Sequence, residues 1–417
     1  LGNIIDQSNE TWDQQAHSFA TEFPYIEISA IELGTGDYTV EMVPIEEAPS
    51  RAKMIVHTND IIISTTRPHR GAVAIIKPEH DGYIASTGFT VLRSLKSNNV
   101  TRPFLLYTLL SSPVLRQFLQ RSSGGNYPAI VPDEIDKVII PTPPTADQEQ
   151  FVDELNSANS IRRRHIQDAD SLFASLDQFI LSSLHLPTTD IPKPKVFALP
   201  LSSLSDALNP ERYQFRSVEK SINGTTMSTV ADIVESKSSP SKLSPDKQWD
   251  WIRIDDLSNQ PLSVETIRTE LGSDIDGTFY QVQENDILLA RLGPTIQNAK
   301  FVLCPKLERQ TVASSEFYVL RFRKGWNPLV VLWVLRTKLY RDLMYSKGRG
   351  GTPSRYRLSR EDLAALPFPN ISQKLQGELA AEISNRLAEI KRLRDEADKE
   401  WSTAKQSFEQ KLLGVPG

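Results

Sequence analysis

The chain of 417 residues contains a single cysteine, Cys304. A disulfide framework and a cysteine-based zinc site are therefore excluded within one chain, and a reducing, cytoplasmic location is expected. Histidine is scarce and scattered: the six residues His17, His57, His69, His80, His165 and His185 form no H-E-x-x-H pattern and no paired His/Cys cluster. No metal site is expected. No G-x-x-x-x-G-K-[ST] loop exists to cradle a nucleotide phosphate. Long apolar runs are missing too. The strongest, around Leu329–Leu335, is far short of a membrane span, and no charged-then-apolar signal segment opens the sequence. Because the first residue is Leu1 rather than Met, the amino terminus is expected to be trimmed or incompletely represented. Finally, there is no excess of positive charge: 47 Lys and Arg against 52 Asp and Glu leave a formal net charge of −5, which mildly opposes polyanion binding by the molecule as a whole.

Two short motifs suggest catalysis and fail on inspection. "PDEIDK" (132–137) has the residue types of a nuclease carboxylate–lysine motif, but its carboxylates are too compactly spaced to hold separated metals. "LNPERY" (208–213) opens like an adenine methyltransferase motif, lacks the following Pro and aromatic residue, and follows no Gly-rich cofactor loop. No catalytic residue is assigned, and a binding protein is favoured.

What the sequence does contain is a copy of itself. "YIASTGFTVLR" (83–93) and "TVASSEFYVLR" (311–321) share Ala, Ser, Phe and Val-Leu-Arg at matching places. "YIEISAI" (25–31) matches "WIRIDDL" (251–257), and "NDIIIS" (59–64) matches "NDILLA" (285–290). "PFLLYTLLSSPVLRQFL" (103–119) matches "PLVVLWVLRTKLYRDLM" (328–344). "GGNYP" (124–128) stands opposite "GGTPS" (350–354), "IDKVIIPTPP" (135–144) opposite "LAALPFPN" (363–370), and "LGNII" (1–5) opposite "VADIV" (230–234). The offset stays between about 225 and 229 throughout, which indicates a tandem duplication and decides architecture before any other signal.

Each copy follows one plan. Short apolar, β-branched runs bounded by turn residues read as strands, with "NDI" a turn entering one of them. A helix follows, then a Gly-rich loop, then a short apolar strand stopped by prolines ("VIIPTPP", "ALPFPN"). A long amphipathic helix comes last. In the second copy Ile371, Leu375, Leu379, Ile383, Leu387, Ile390, Ala397, Trp401, Ala404, Phe408 and Leu412 recur at three- or four-residue steps, with one step of seven between Ile390 and Ala397. The first-copy helix runs from Phe151 to about His185, and "LPTTDIPKPKVFALP" (186–200) has the prolines of a semi-rigid linker. A long rod with one apolar stripe cannot stand alone in water. Each stripe packs either on its own globular domain or on the other helix. Helix–helix pairing is preferred because the two occupy equivalent places in the repeat, and chain order makes it antiparallel. The expected fold is α+β: tandem α/β domains separated by two long antiparallel coiled-coil helices, related by a pseudo-two-fold axis. The expected boundaries are 1–144 for domain one, 145–186 for its helix, 187–228 for the linker and entry to the second repeat, 229–370 for domain two, and 371–414 for its helix.

Two similar domains held apart suit a ligand with two sites, and duplex DNA is the obvious one. Local charge supports it. Arg336, Lys338, Arg341, Lys347, Arg349, Arg355, Arg357 and Arg360 crowd the segment 336–360, where "KGRGGTPSRYR" (347–357) combines donors with flexible backbone. In the first copy "TTRPHR" (65–70) and "RSSGGNY" (121–127) are comparable. The bland alternative is that these loops are solvated turns.

The duplicated order of aromatic-Ile-x-Ile, "NDI", "AS…F-x-VLR", Gly-rich loop, "IPTPP" or "LPFPN", a Gln soon after ("ADQEQ" 146–150, "ISQKLQ" 371–376) and a long helix resembles the specificity subunits of type I restriction–modification systems. The resemblance implies two target recognition domains, each reading half of a bipartite double-stranded DNA site. It also implies helices that set the gap and dock two DNA adenine methyltransferase subunits. S-adenosylmethionine would be bound by those partners, and a restriction/translocase subunit would join for cleavage. It implies no catalytic residue here. The sequence departs from the pattern in lacking, before copy one, a stretch equivalent to "LSDALNPERYQF" (204–215), and the copies diverge at 36–58 against 261–284. Divergence is expected where two domains read different half-sites. Base-reading candidates lie after "NDI": Arg67, His69 and Arg70 in domain one, and Arg291, Thr295, Gln297 and Asn298 in domain two. Arg121, Asn126, Tyr127, Lys347, Arg349, Arg355 and Arg357 are expected to contact DNA from the Gly-rich loops. A duplicated, non-enzymatic protein scaffold is the competing reading, and a carbohydrate- or peptide-binding tandem β domain ranks last.

Overall fold

Ile61, Ile62 and Ile63 are all fully buried, which a strand achieves only when both faces of its sheet are covered. A computed structural model of the chain describes residues 1–13, 19–188, 198, 210–235, 243–257, 267–350, 352 and 355–414, and shows the two covers. The described chain forms two compact units, Leu1–Asp168 with Arg392–Gly417, and Ala169–Lys391.

In the first unit, β1 (Ile5–Ser8), β2 (Glu22–Ile26), β3 (Glu41–Pro44), β4 (Ala52–Val56), β5 (Ile61–Ser64), β6 (Val73–Ile75), β7 (Tyr83–Ser86) and β8 (Phe89–Leu95) make two four-stranded sheets. Their orders are β1-β8-β5-β6 and β3-β2-β7-β4. Helices α1 (Arg102–Leu109), α2 (Ser112–Arg121) and α3 (Pro132–Asp136) follow, and then the long α4 (Thr145–Ser183). Ile61, Ile63 and Leu92 pack under the helices with Phe104, Leu105 and Phe118. Ile62, Val91 and Phe89 face the other way, into a core shared with Ile26, Val56 and Ala85 of the second sheet. The strand period of two thus divides one apolar run between two cores.

The second unit repeats the design. It opens with α5 (Pro210–Gln214), α6 (Arg216–Ser221), β9 (Gly224–Thr226), α7 (Met227–Val230) and β10 (Ala231–Ile233). Strands β11 (Gln248–Ile252), β12 (Arg268–Leu271), β13 (Phe279–Gln281), β14 (Ile287–Ala290), β15 (Phe301–Leu303), β16 (Thr311–Ser314) and β17 (Phe317–Phe322) complete the sheets β10-β17-β14-β15 and β12-β11-β16-β13. The register is conserved between copies. Ile61 and Ile62 of β5 lie opposite Leu92 and Val91, and Ile287 and Leu288 of β14 lie opposite Leu320 and Val319. Even the one parallel pairing recurs, β2 with β7 and β11 with β16. The remaining elements are α8 (Gly293–Gln297), α9 (Pro328–Arg336), α10 (Lys338–Ser346), α11 (Arg360–Ala364), β18 (Pro367–Pro369) and α12 (Gln373–Leu412).

Three repeated motifs acquire physical meaning. Asn59 and Asn285 of the two "NDI" motifs share a left-handed φ of 68°, a backbone region asparagine tolerates better than most residues. The next residue, Asp60 or Asp286, is buried. It accepts the His57 or Gln283 backbone N–H across the turn at 2.8 Å and binds the Arg93 or Arg321 guanidinium at 2.9 and 2.7 Å. The final arginine of "VLR" is therefore a strand-end ion-pair donor in both copies. The glutamine after each proline stop is a buried strap. Gln148 accepts from Thr101 N and donates to Asn99 O and Pro143 O. Gln376 accepts from Asn327 N and donates to Gly325 O and Ile371 O.

The long helices run antiparallel within the first unit: Phe151 meets Phe408 edge-on with a centroid distance of 6.1 Å, while Ser157 and Ala158 lie near Glu400 and Thr403. Tyr107 packs on Trp401 and donates to Asn156, and Glu409 accepts from Ser112 N at the start of α2. In the second unit Arg386 of α12 donates to Ser175 of α4 and lies over Phe179. There Phe173 packs on Trp333, and Asp177 accepts from Lys338 N at the start of α10. Each globular part is thus braced by both long helices. No helix among the described residues is long and apolar enough to cross a membrane.

Two expectations need correction. "VIIPTPP" forms no strand, because no neighbour pairs with it among the described residues. Gln117 instead satisfies Ile139 N and O with its amide, and Ile139 stays 71% exposed. Its counterpart β18 is a strand because β9 pairs with it. The gapless match of "LGNII" to "VADIV" is displaced by three residues: Gln7 lies opposite Leu92 and Ile233 opposite Leu320. Most of the linker 186–200 and part of "LSDALNPERYQF" lie outside the described residues.

Candidate nucleic-acid interface

In both units the strand after "NDI" runs into a turn that the Gly-rich loop folds back to meet. The backbone frame is the same. Thr65 N donates to Gly88 O and Ile130 N to Thr65 O, as Arg291 N donates to Glu316 O and Leu358 N to Arg291 O. Arg67 N donates to Pro128 O, as Gly293 N donates to Tyr356 O. Ser123 and Ala129 exchange two backbone bonds, as do Arg349 and Arg357. The frame brings the two sequence segments of each candidate set to one place, though they lie far apart in the chain. The side chains mounted on it differ almost completely.

In the first unit Arg67 has a left-handed φ of 48°. Its guanidinium lies 4.2 Å from the Tyr127 ring centroid and donates to Asn126 O. Tyr127 is 70% exposed, so its other face is free to stack. Arg70 is exposed and His69 half-buried, on the short turn that α2 packs against. Arg121 is set differently. It pairs with Glu134, whose carboxyl is held below the usual range first by Lys137 and then by Arg121 itself.

In the second unit Arg291 and Arg357 converge on Glu316, at 3.3 and 2.7 Å. Arg355 is exposed, with no side-chain partner among the described residues. Arg349 lies 3.5 Å from Asp362. Lys347 is only 7% exposed, with Nζ 2.5 Å from Glu219, so its charge is matched inside the fold and not presented outward. Thr295 caps its own turn through Leu292 O. Gln297 and Asn298 are not among the groups that meet at Glu316. They line a cavity of about 350 Å³ with Phe173, Asp177, Trp333 and Arg341, and Arg341 donates to Gln297 O.

The basic segment 336–360 is therefore mostly consumed by the fold. Arg336 is buried and donates to Ala299 O and Phe301 O, and burial pushes its pKa down to about 10. Lys338 pairs with Asp342, and Arg360 with Glu235. What remains outward is Arg355 and, half-exposed, Lys338, Arg349 and Arg357. Glu316 was missed by sequence reading because it sits inside a stretch that looks like pure framework. The available signal was its mismatch with Gly88 in an otherwise shared motif.

Residues 1–164 match the family model described as "Type I restriction modification DNA specificity domain". The "Type I restriction enzyme HindI specificity subunit" of Haemophilus influenzae is 27% identical over 115 residues, 27% of this chain and 25% of that protein. The matched segment thus spans about a quarter of that relative's length. A solved structure titled "Structural basis underlying complex assembly and conformational transition of the type I R-M system" aligns over 99% of this chain and 96% of that one. The TM-score is 0.54 and the identity 18%. The HsdS subunit from Thermoanaerobacter tengcongensis aligns over 98% of this chain and 94% of its own at 18% identity, but its TM-score of 0.37 carries no weight. Residues 1–164 are therefore similar to a type I restriction–modification DNA specificity domain, and the chain as a whole is similar in fold to the solved chain with which it aligns at a TM-score of 0.54.

Proposed function

We propose that this chain is the sequence-reading subunit of a type I restriction–modification complex, with one half of a bipartite duplex target read by each unit. One observation carries the reading: two copies of one backbone frame present different exposed polar and aromatic side chains, while their cores keep a common register. Such a design suits two readers of unlike half-sites. Arg67, Arg70, Asn126 and Tyr127 would contact one half-site; Arg291, Arg349, Arg355 and Arg357 would contact the other. Arginine is suited to both tasks, bidentate to guanine O6 and N7 in the major groove or paired with phosphate. The exposed acidic residues of α4 and α12 suit protein partners better than DNA. Those partners would be two adenine methyltransferase subunits, which would supply S-adenosylmethionine and the catalytic groups, and a restriction/translocase subunit.

The test is co-expression with the cognate methyltransferase subunits in a host lacking other adenine methylation, followed by single-molecule methylome sequencing. New methylation at a bipartite motif is expected. A stable complex that marks no DNA would overturn the reading in favour of a protein scaffold.

A further inference from the structure

The turn joining β16 and β17 carries the only acid that bridges the arginines of the second unit's loop frame among the described residues. Glu316 Oε1 lies 3.3 Å from Arg291 Nη2, and Glu316 Oε2 lies 2.7 Å from Arg357 Nη1. These two arginines come from positions 66 residues apart in sequence, joined here by one carboxylate. The backbone fixes the same three residues: Arg291 N donates to Glu316 O, and Leu358, next to Arg357, donates to Arg291 O. The first unit has this backbone with Thr65, Gly88 and Ala129 in the three places. Gly88 carries no side chain, so nothing takes the role of Glu316 there.

We propose that Glu316 is a specificity-positioning residue, holding Arg291 and Arg357 for base contact in one half-site only. The proposal rests on the DNA-reading function above and adds a mechanism to it. First, a carboxylate 37% exposed in an arginine-bearing surface repels phosphate. A surface meant only for backbone contact gains nothing from it. Second, arginine side chains lose considerable rotamer freedom when they bind. A shared carboxylate fixes both beforehand, leaving their remaining N–H groups to discriminate base edges. Glu316 acts through the arginines. Its charge also weakens binding to the wrong sequence, where phosphate attraction is the main source of affinity.

The experiment uses the full complex with its methyltransferase subunits, comparing wild type, Glu316→Gln and Glu316→Asp. Methylome sequencing reads the motif. Anisotropy titrations over a range of salt read affinity for cognate and mismatched duplexes. For Glu316→Gln, discrimination at one half-site is expected to fall about tenfold. Non-cognate binding should tighten, and the salt slope should steepen by about one as a guanidinium is released to phosphate. The other half-site should keep its selectivity, and Glu316→Asp should restore part of the lost discrimination. A Glu316→Gln complex with unchanged motif, ratio and slope would overturn the proposal while leaving the function intact. Equal loss at both half-sites would also overturn it, as the mark of general structural damage. A wild-type complex that marks no DNA would overturn the function and the proposal together.

Discussion

Charge at the residue scale is decided by neighbours, not by sequence counting. Of the basic residues between 336 and 360, Arg336 and Lys347 are engaged inside the fold, Lys338 is half-exposed but paired with Asp342, and Arg355 is outward with no side-chain partner among the described residues. Arg355→Ala is therefore expected to weaken DNA binding by the complex and reduce its salt slope by about one, measured by titration at several salt concentrations. Lys347→Met, by contrast, should leave that slope unchanged. The pair of buried Asp286 with partly exposed Arg321 is a matter of stability. Arg321→Ala leaves a carboxylate 3% exposed without its guanidinium, and a loss of about 2 kcal/mol is expected in urea unfolding. Cys304 is buried and its thiol is pushed up to about 12, chiefly by burial. It should react with a thiol reagent at neutral pH only once the second unit unfolds.

Elements form where the whole neighbourhood agrees. "VIIP" and "LPFP" are equally apolar, yet only the second is a strand, since a strand needs a partner for its N–H and C=O groups. Long helices were legible because their apolar stripes are unbroken, and their pairing because a rod with one stripe must be covered. The buried glutamine was legible as a recurring letter but not as a strap, since its three partners lie up to 51 residues away. Gln376→Ala removes all three bonds and leaves Asn327 N and two carbonyls without them. A loss of about 2–3 kcal/mol is expected in chemical denaturation, with α9 and the first turn of α12 the earliest to exchange amide hydrogens. Phe408→Ala should cost about 3–4 kcal/mol, because its ring packs on both Phe104 and Phe151.

At the scale of the whole molecule, duplication means two frames that vary independently. Arg67→Ala should relax methylation specificity in one half of the target and Arg355→Ala should weaken contact with the other half, both read from the methylome of the complex. The sequence by itself determined the duplication, the α+β class, most of the strand runs, the long helices and the two loop regions. These depend on local periodicity and turn chemistry, which a linear pattern records directly. Only the tertiary structure decided which cations remain outward, that Gln297 and Asn298 line a cavity with Arg336 and Arg341, and that Glu316 ties two arginines together. Those outcomes depend on contacts between segments distant in the chain, and an ion pair leaves no periodic trace in either partner's sequence.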